Sequence, residues 1–182
     1  YIFNYPLIIK PTLGSGSRGV NKIYESSNSK FIEDAFNNSK NGRVLLQDFV
    51  EGDEFSFETF CHKNKVELLA SSKRIVNSSM SATEIFSYDF DYKMRQRIHE
   101  EIVKIYKIFN YPVGPGHFEI IIDKYDNLNI IDIHFRGGGF DIYNFLVKEV
   151  SGFDIIQNTI LQSVNEDINL DYSKTNNNVL IK

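Results

Sequence analysis

GHFEIIIDKYDNLNIIDIHFRGGG, residues 116–139, reads as a β-hairpin in which two apolar, alternating runs, 117–123 and 129–135, flank a turn-forming segment at 124–127. A symmetric four-residue loop sets position 119 opposite position 132. Alternation then sends Glu119, Asp132, His134 and Arg136 to one face and Phe118, Ile120, Ile122, Ile131, Ile133 and Phe135 to the other, into a core. Two carboxylates directly opposite on neighbouring strands have Cβ atoms about 5 Å apart and repel unless a cation lies between them. Magnesium takes one or two carboxylates and completes its shell with substrate phosphates, so it would remove that repulsion. A solvated acidic face neutralised by Arg136 and stray lysines satisfies the same pattern. The hairpin alone leaves both readings open.

Outside the hairpin, composition sets the bounds. A chain of 182 residues buries roughly 70% of its unfolded surface, enough for one large or two small domains. A net charge of −4 gives no support for a broad nucleic-acid or anionic-membrane surface. The single cysteine, Cys61, rules out an internal disulfide framework and a zinc knuckle, which fits a reducing compartment and a cytoplasmic location. No apolar run approaches ~20 residues and no signal-peptide pattern opens the chain, so neither a membrane span nor export is expected. The chain starts at Tyr1 and is strand-like from Pro6, so it is expected to be a piece of a longer protein.

Pro6–Lys10 is a short strand with a lysine at its end, stopped by Pro11. The following LGSGSRGV matches G-x-G-x-x-G at Gly14, Gly16 and Gly19. A dinucleotide fingerprint must open a helix, whereas residues 20–24 start a strand better, and a P-loop needs Lys-Ser/Thr where Val20-Asn21 stand. What remains is a strand–loop–strand flap whose amides can close over phosphates, or a mobile hairpin tip; Lys10 favours phosphate. Ser27–Ser29 offers helix-start chemistry, and Phe31, Ile32, Ala35 and Phe36 form the apolar stripe of a helix ending near Gly42. Strands follow at 44–50, 54–60 and 65–76, the last carrying Lys73 and Arg74 as a solvated basic pair or a phosphate contact. Residues 77–91 read as an irregular loop, and 93–109 as an amphipathic helix with Met94, Ile98, Ile102, Ile105 and Phe109 inward and His99 on the surface. After the triglycine, which lets backbone approach a ligand closely, come a helix over 141–150 ended by Gly152, a helix capped by Asp154, and a last short strand.

In this order the segments resemble the ATP-grasp family, from Ile8 to about Ile160. Four motifs carry the resemblance: YPLIIKP at 5–11, GSGSRGV at 14–20, LQDFVEGDE at 46–54, and GHFE at 116–119 with IDIHFRGG at 131–138. The similarity is strongest to the branch with biotin carboxylase, carbamoyl-phosphate synthetase and the L-amino acid ligases. It implies an α+β fold with a small lid, residues 1–48, carrying the glycine flap, and a larger antiparallel-sheet body with helices, residues 49–182. ATP and Mg²⁺ are the implied cofactors. Lys10 then meets phosphates under the amides of Ser15, Gly16, Ser17, Arg18 and Gly19, and Ile8 and Ile121 sandwich adenine. Gln47, Asp48, Phe49 and Val50 offer main-chain contacts to the adenine edge, with Glu54 near the ribose. Glu119 and Asp132 hold the metal, His134 can ligate it as a neutral imidazole or exclude it when protonated, and Arg136 and Lys10 act on the transferred phosphoryl group.

The family reaction joins a small-molecule carboxylate to an amine through an acyl-phosphate. The resemblance also implies a preceding domain, which this chain lacks, and is compatible with a homodimer. Two positions depart from the family pattern: Asp132 stands where Glu is usual and His134 where Asn is usual. Beside the ligase reading stand a nucleotide-binding or regulatory module without ligase chemistry, and a solute-binding or structural α+β domain whose glycine loop is only a hinge.

Overall fold

Strands of alternating character dominate the chain, and in the structure, a computed structural model describing residues 4–25, 29–77, 80–168, 170, 175 and 177–182, they form two antiparallel sheets with helices in an α+β arrangement. The chain divides into two compact units. One takes in Tyr1–Glu51 and Ile75–Thr83, the other Gly52–Arg74 and Glu84–Lys182.

In the first unit, β1 (Leu7–Pro11) lies between β2 (Asn21–Ile23) and β3 (Val44–Asp48). Leu7, Ile9 and Ile23 point to one face and are buried against Ala35 of α1 (Ser29–Asn37), with Ile32 and Val44 packed alongside. The expected stripe on α1 is narrower than its sequence implies: Phe31 and Phe36 are exposed, because a three-stranded sheet is too small to cover both flanks of the helix. The Ser27-Asn28 part of the expected helix start lies outside the described residues.

In the second unit a six-stranded sheet runs β8-β7-β4-β5-β6-β9, built from β4 (Gly52–His62), β5 (Lys65–Val76), β6 (Ala82–Ser87), β7 (Gly114–Asp123), β8 (Leu128–His134) and β9 (Leu180–Ile181). One face packs on α2 (Tyr92–Phe109), whose Ile98, Ile102, Ile105 and Tyr106 meet Phe55, Phe57, Phe118 and Ile120. Asp91 caps α2 by accepting from the Met94 amide at 2.8 Å, and Asn110 ends it in the left-handed region. His99, expected at the surface, is half-buried with Nε2 2.8 Å from the Val66 carbonyl oxygen. The stretch expected as an irregular loop contains β6, whose only fully buried residue is Ile85. Pairing with a neighbouring strand, rather than apolar content, makes it a strand. Helical structure after the triglycine starts as a π-helical turn, Ile142–Leu146, and continues as α3 (Val147–Ser151), ended by Gly152 at φ 72°. α4 (Ile155–Ser163) is capped by Asp154, which accepts from the Gln157 amide at 3.0 Å. Among the described residues no helix is long and apolar enough to cross a membrane.

The hairpin reaches the expected pairing by a different route. Pairs 122↔128, 121↔129 and 120↔130 close a five-residue loop, and a register shift beyond Ile120 restores 119↔132 and 118↔133. Asp123 organises the loop by accepting from the amides of Tyr125 at 2.8 Å and Asn127 at 2.9 Å. The shift leaves Ile131 as the extra residue. Leu128, Ile130, Ile133 and Phe135 therefore pack on the core, and Ile131, expected there, does not.

Candidate functional site

Alternation on β8, β7, β4 and β5 writes three rows of side chains across the face of the sheet opposite α2. His134, His117, Glu58 and Ala70 form one row. Asp132, Glu119, Ser56 and Ser72 form the next, and Asn129, Ile121, Glu54 and Arg74 the third. Glu119 thus lies opposite Asp132, with Ile121 and Glu54 on the same face. Arg136 lies beyond the end of β8 and is exposed, its Nη1 donating to the Gly137 carbonyl at 2.6 Å.

A protein cation already stands beside Glu119. Arg74 Nη1 is in ion-pair contact with Glu119 Oε1 and lies 2.7 Å from Glu54 Oε1, with the Arg74 side chain only 11% exposed. Arg74 is therefore neither solvated nor a free phosphate contact, while Lys73 pairs with Asp53 at 2.7 Å. On the other side of Glu119, His117 Nε2 lies 3.2 Å from the same Oε1, and His117 Nδ1 is hydrogen-bonded to Glu58. Glu58 and His117 are 1% and 4% exposed. The Gly138 amide donates to Glu58 Oε2 at 3.3 Å.

For Glu119 and His117 burial is the largest influence, and the local charges override it. Burial pushes Glu119 up, but hydrogen bonding from His117 and the charge of Arg74 hold it at about 2. Burial pushes His117 down, but the charge of Glu58 and the hydrogen bond to Glu119 raise it to about 9. At neutral pH His117 is an imidazolium donating at both nitrogens. His134 lies nearly parallel to it, ring centroids 6.0 Å apart, with Nε2 3.0 Å from Asp132 Oδ2.

Among the described residues no group of three or more His, Cys, Asp and Glu side chains is gathered to hold a metal ion. Glu119, Asp132 and His134 are not a closed cage. Magnesium does not require one, since it keeps waters and substrate oxygens in its shell. The hydroxyls of Ser56 and Ser72 are buried in the same row as the two carboxylates, and neither has a hydrogen-bond partner among the described residues.

In the smaller sheet, Ile8, Lys10, Lys22, Leu45 and Gln47 share the face opposite its core. Lys22 Nζ sits 3.3 Å from the centroid of the Phe49 ring, and the Phe49 amide donates to the Pro6 carbonyl at 3.3 Å. The glycines after β1 do different things. A Cβ on Gly16 would meet nothing within 4 Å, whereas one on Gly19 would lie 2.8 Å from Asn38 Cβ and 3.0 Å from Pro11 Cγ. Gly16 faces open space at φ +64°, and Gly19 lets the loop lie against α1. The triglycine is likewise partly internal, because a Cβ on Gly138 would meet Glu58 Oε1 at 2.6 Å and one on Gly137 would overlap the Tyr143 ring.

Sequence reasoning missed Arg74, Glu58, His117 and Lys22 as members of these faces. The signal was present in the alternation of Glu54-x-Ser56-x-Glu58 and His117-x-Glu119, but which strands pair was not.

A sequence model described as the ATP-grasp domain matches residues 3–142. The chain is 25% identical over 178 residues to the L-arginine-specific L-amino acid ligase of Bacillus subtilis, covering 91% of this chain and 42% of that protein. It is 24% identical over 183 residues to the pyruvate carboxylase of Staphylococcus aureus, covering 90% of this chain and 15% of that protein. Its fold is similar to that of biotin carboxylase from Campylobacter jejuni in complex with β,γ-ATP, with a TM-score of 0.81 at 21% identity over 97% of this chain and 41% of that one. The chain thus spans less than half the length of each of these relatives.

Proposed function

The chain belongs to the ATP-grasp family, and from that premise we propose that it is the ATP-binding domain of an ATP-dependent carboxylate–amine ligase working through an acyl-phosphate. The observation that carries this reading is the cross-strand pair of Glu119 and Asp132 on a polar sheet face. Two hard carboxylates beside orphaned hydroxyls fit magnesium, which Glu119 and Asp132 would hold, with His134, 3.0 Å from Asp132, as the third metal-site residue. Bound there, the ion would neutralise phosphate charge.

The chain's own residues supply the rest. In the lid, taken as residues 1–48, Lys10 and the amides of Ser15, Gly16, Ser17, Arg18 and Gly19 serve the phosphates, and Ile8 one side of adenine. Gln47, Asp48, Phe49 and Val50 read the adenine edge through the main chain. In the body, residues 49–182, Ile121 serves the other side of adenine and Glu54 the ribose. The oxygen of a small-molecule carboxylate attacks the γ-phosphorus and ADP leaves. Arg136 and Lys10 stabilise the charge that builds on the transferred group. An amine then adds to the acyl carbon and phosphate departs. The complete protein would contribute a preceding domain and operate in the cytoplasm, as a homodimer where its relatives pair.

One observation favours a second reading, a regulatory module that binds nucleotide without ligase chemistry: Arg74 already neutralises Glu119. Calorimetric titration of ATP into the complete protein and its Asp132→Asn variant, with and without Mg²⁺, tests the common part. Binding that strengthens with Mg²⁺ and loses about tenfold or more of that gain in the variant is expected. No binding by the intact protein overturns both readings. ADP release that rises when carboxylates are supplied with an amine separates the ligase from the module.

A further inference from the structure

We propose that Glu58 and His117 are positioning residues for Glu119: a buried carboxylate–imidazole–carboxylate chain that fixes which oxygen of Glu119 faces a bound cation. The inference rests on the reading above that Glu119 faces Mg²⁺-ATP.

A glutamate at the middle of a strand has three free torsions, so its carboxylate wanders unless something holds it. Here a hydrogen bond and an ion pair converge on one atom. His117 Nε2 and Arg74 Nη1 each meet Glu119 Oε1, and Oε2 has no protein partner among the described residues. One oxygen is thereby consumed by the protein and the other presented. The imidazole is itself fixed, because its Nδ1 is tied to Glu58 and the inner end of Glu58 is tied to the Gly138 amide.

Nothing in the core demands this arrangement. Burying a carboxylate and an imidazole behind a sheet costs several kcal/mol per ion before their attraction repays it, and an apolar pair would fill the same space more cheaply. The triglycine pays a conformational cost for it too, since any side chain at Gly138 would collide with Glu58 and His117. Hydrogen-bonded partners behind a ligating carboxylate or histidine are a general means of orienting it, and losing one typically weakens metal affinity by about 10–100-fold.

The test is calorimetry of ATP binding to the complete protein, with and without Mg²⁺, for His117→Ala, His117→Gln, Glu58→Gln and Glu119→Gln. Glu119→Gln should abolish the gain in affinity that Mg²⁺ brings. His117→Ala should lose about tenfold or more of that gain while leaving metal-free ATP binding unchanged. His117→Gln, whose amide still donates to Glu119, should restore most of it. Glu58→Gln, nearly isosteric, should fall between and decides the matter if His117→Ala does not fold. Equal losses with and without Mg²⁺, or an intact gain in both His117→Ala and Glu58→Gln where Glu119→Gln removes it, would overturn the proposal. An intact gain in Glu119→Gln itself would instead remove the reading of Glu119 as metal-facing, and this inference with it.

Discussion

Both units set cations on the face of a sheet that turns away from its core, but they hold them differently. In the smaller unit, Lys10 and Lys22 stand on a three-stranded sheet whose core has four buried residues among those described, and Lys22 is held by the face of Phe49. In the larger unit, Arg74 is enclosed by Glu54 and Glu119 on a sheet backed by eleven buried core residues. Lys22, resting on a ring face, keeps more side-chain freedom than a cation paired with two carboxylates. One locked between two half-buried carboxylates has lost that freedom and become part of the fold. Side-chain charge of the same sign therefore has a different use in each: adaptable in the first, orienting in the second.

The largest expected effect contrasts the two cations. Arg74→Met leaves Glu54 and Glu119 buried without their shared partner, and breaking a buried pair in this way costs about 3–5 kcal/mol. Lys22→Met removes a cation–π contact worth about 0.5–1 kcal/mol at a half-exposed site. Urea unfolding of the two variants would measure the gap, and equal losses would erase the distinction between locked and adaptable charge.

Next in size is the pH dependence of the larger unit. His117 is raised from 6.5 to about 9, so the stability it contributes is fully present below pH 6.5 and is lost as pH rises towards 9. Glu119 is lowered from 4.5 to about 2, so its contribution is present above pH 4.5 and is lost as pH falls towards 2. The two share one hydrogen bond and do not add. Each limb is at most about 3 kcal/mol. Unfolding midpoints measured from pH 2 to 10 should peak between pH 4.5 and 6.5, and His117→Gln should flatten the alkaline limb.

The smallest effect sharpens the comparison through two glycines. Gly138→Ala forces a Cβ onto Glu58 and His117 and should cost about 1–3 kcal/mol, as overpacking does. Gly16→Ala enters open space and meets only the penalty of φ +64°, about 1 kcal/mol. Thermal melts of the two variants would rank them; a larger loss at Gly16 would contradict the tight packing over the buried pair.

The strands other than β6, α2 and the opposition of Glu119 to Asp132 were legible from local periodicity, because alternation and 3.6-residue spacing are written residue by residue. The loop and bulge that produce that opposition were not. A five-residue loop and a symmetric four-residue loop differ by one position, and the shift at Ile131 cancels the difference by the time the strands reach Glu119. Ile131 shows the cost of that cancellation, since it leaves the core although its pattern resembles that of Ile133. His99 and Arg74 were misjudged for a related reason: a polar side chain is buried when a distant strand supplies its partner, Val66 in one case and Glu119 in the other.

By itself the sequence determined the alternating faces, the helix cap at Asp154, the glycine-rich loop and the motifs of the ATP-grasp family, all of which depend on neighbours within a few residues. Only the tertiary structure decided that β4 lies between β5 and β7, and that pairing gathers Glu58, Arg74, His117 and Glu119 into one network. These residues are up to 61 positions apart in the chain, and no local pattern encodes which strands will pair or which of their charges will lose access to water.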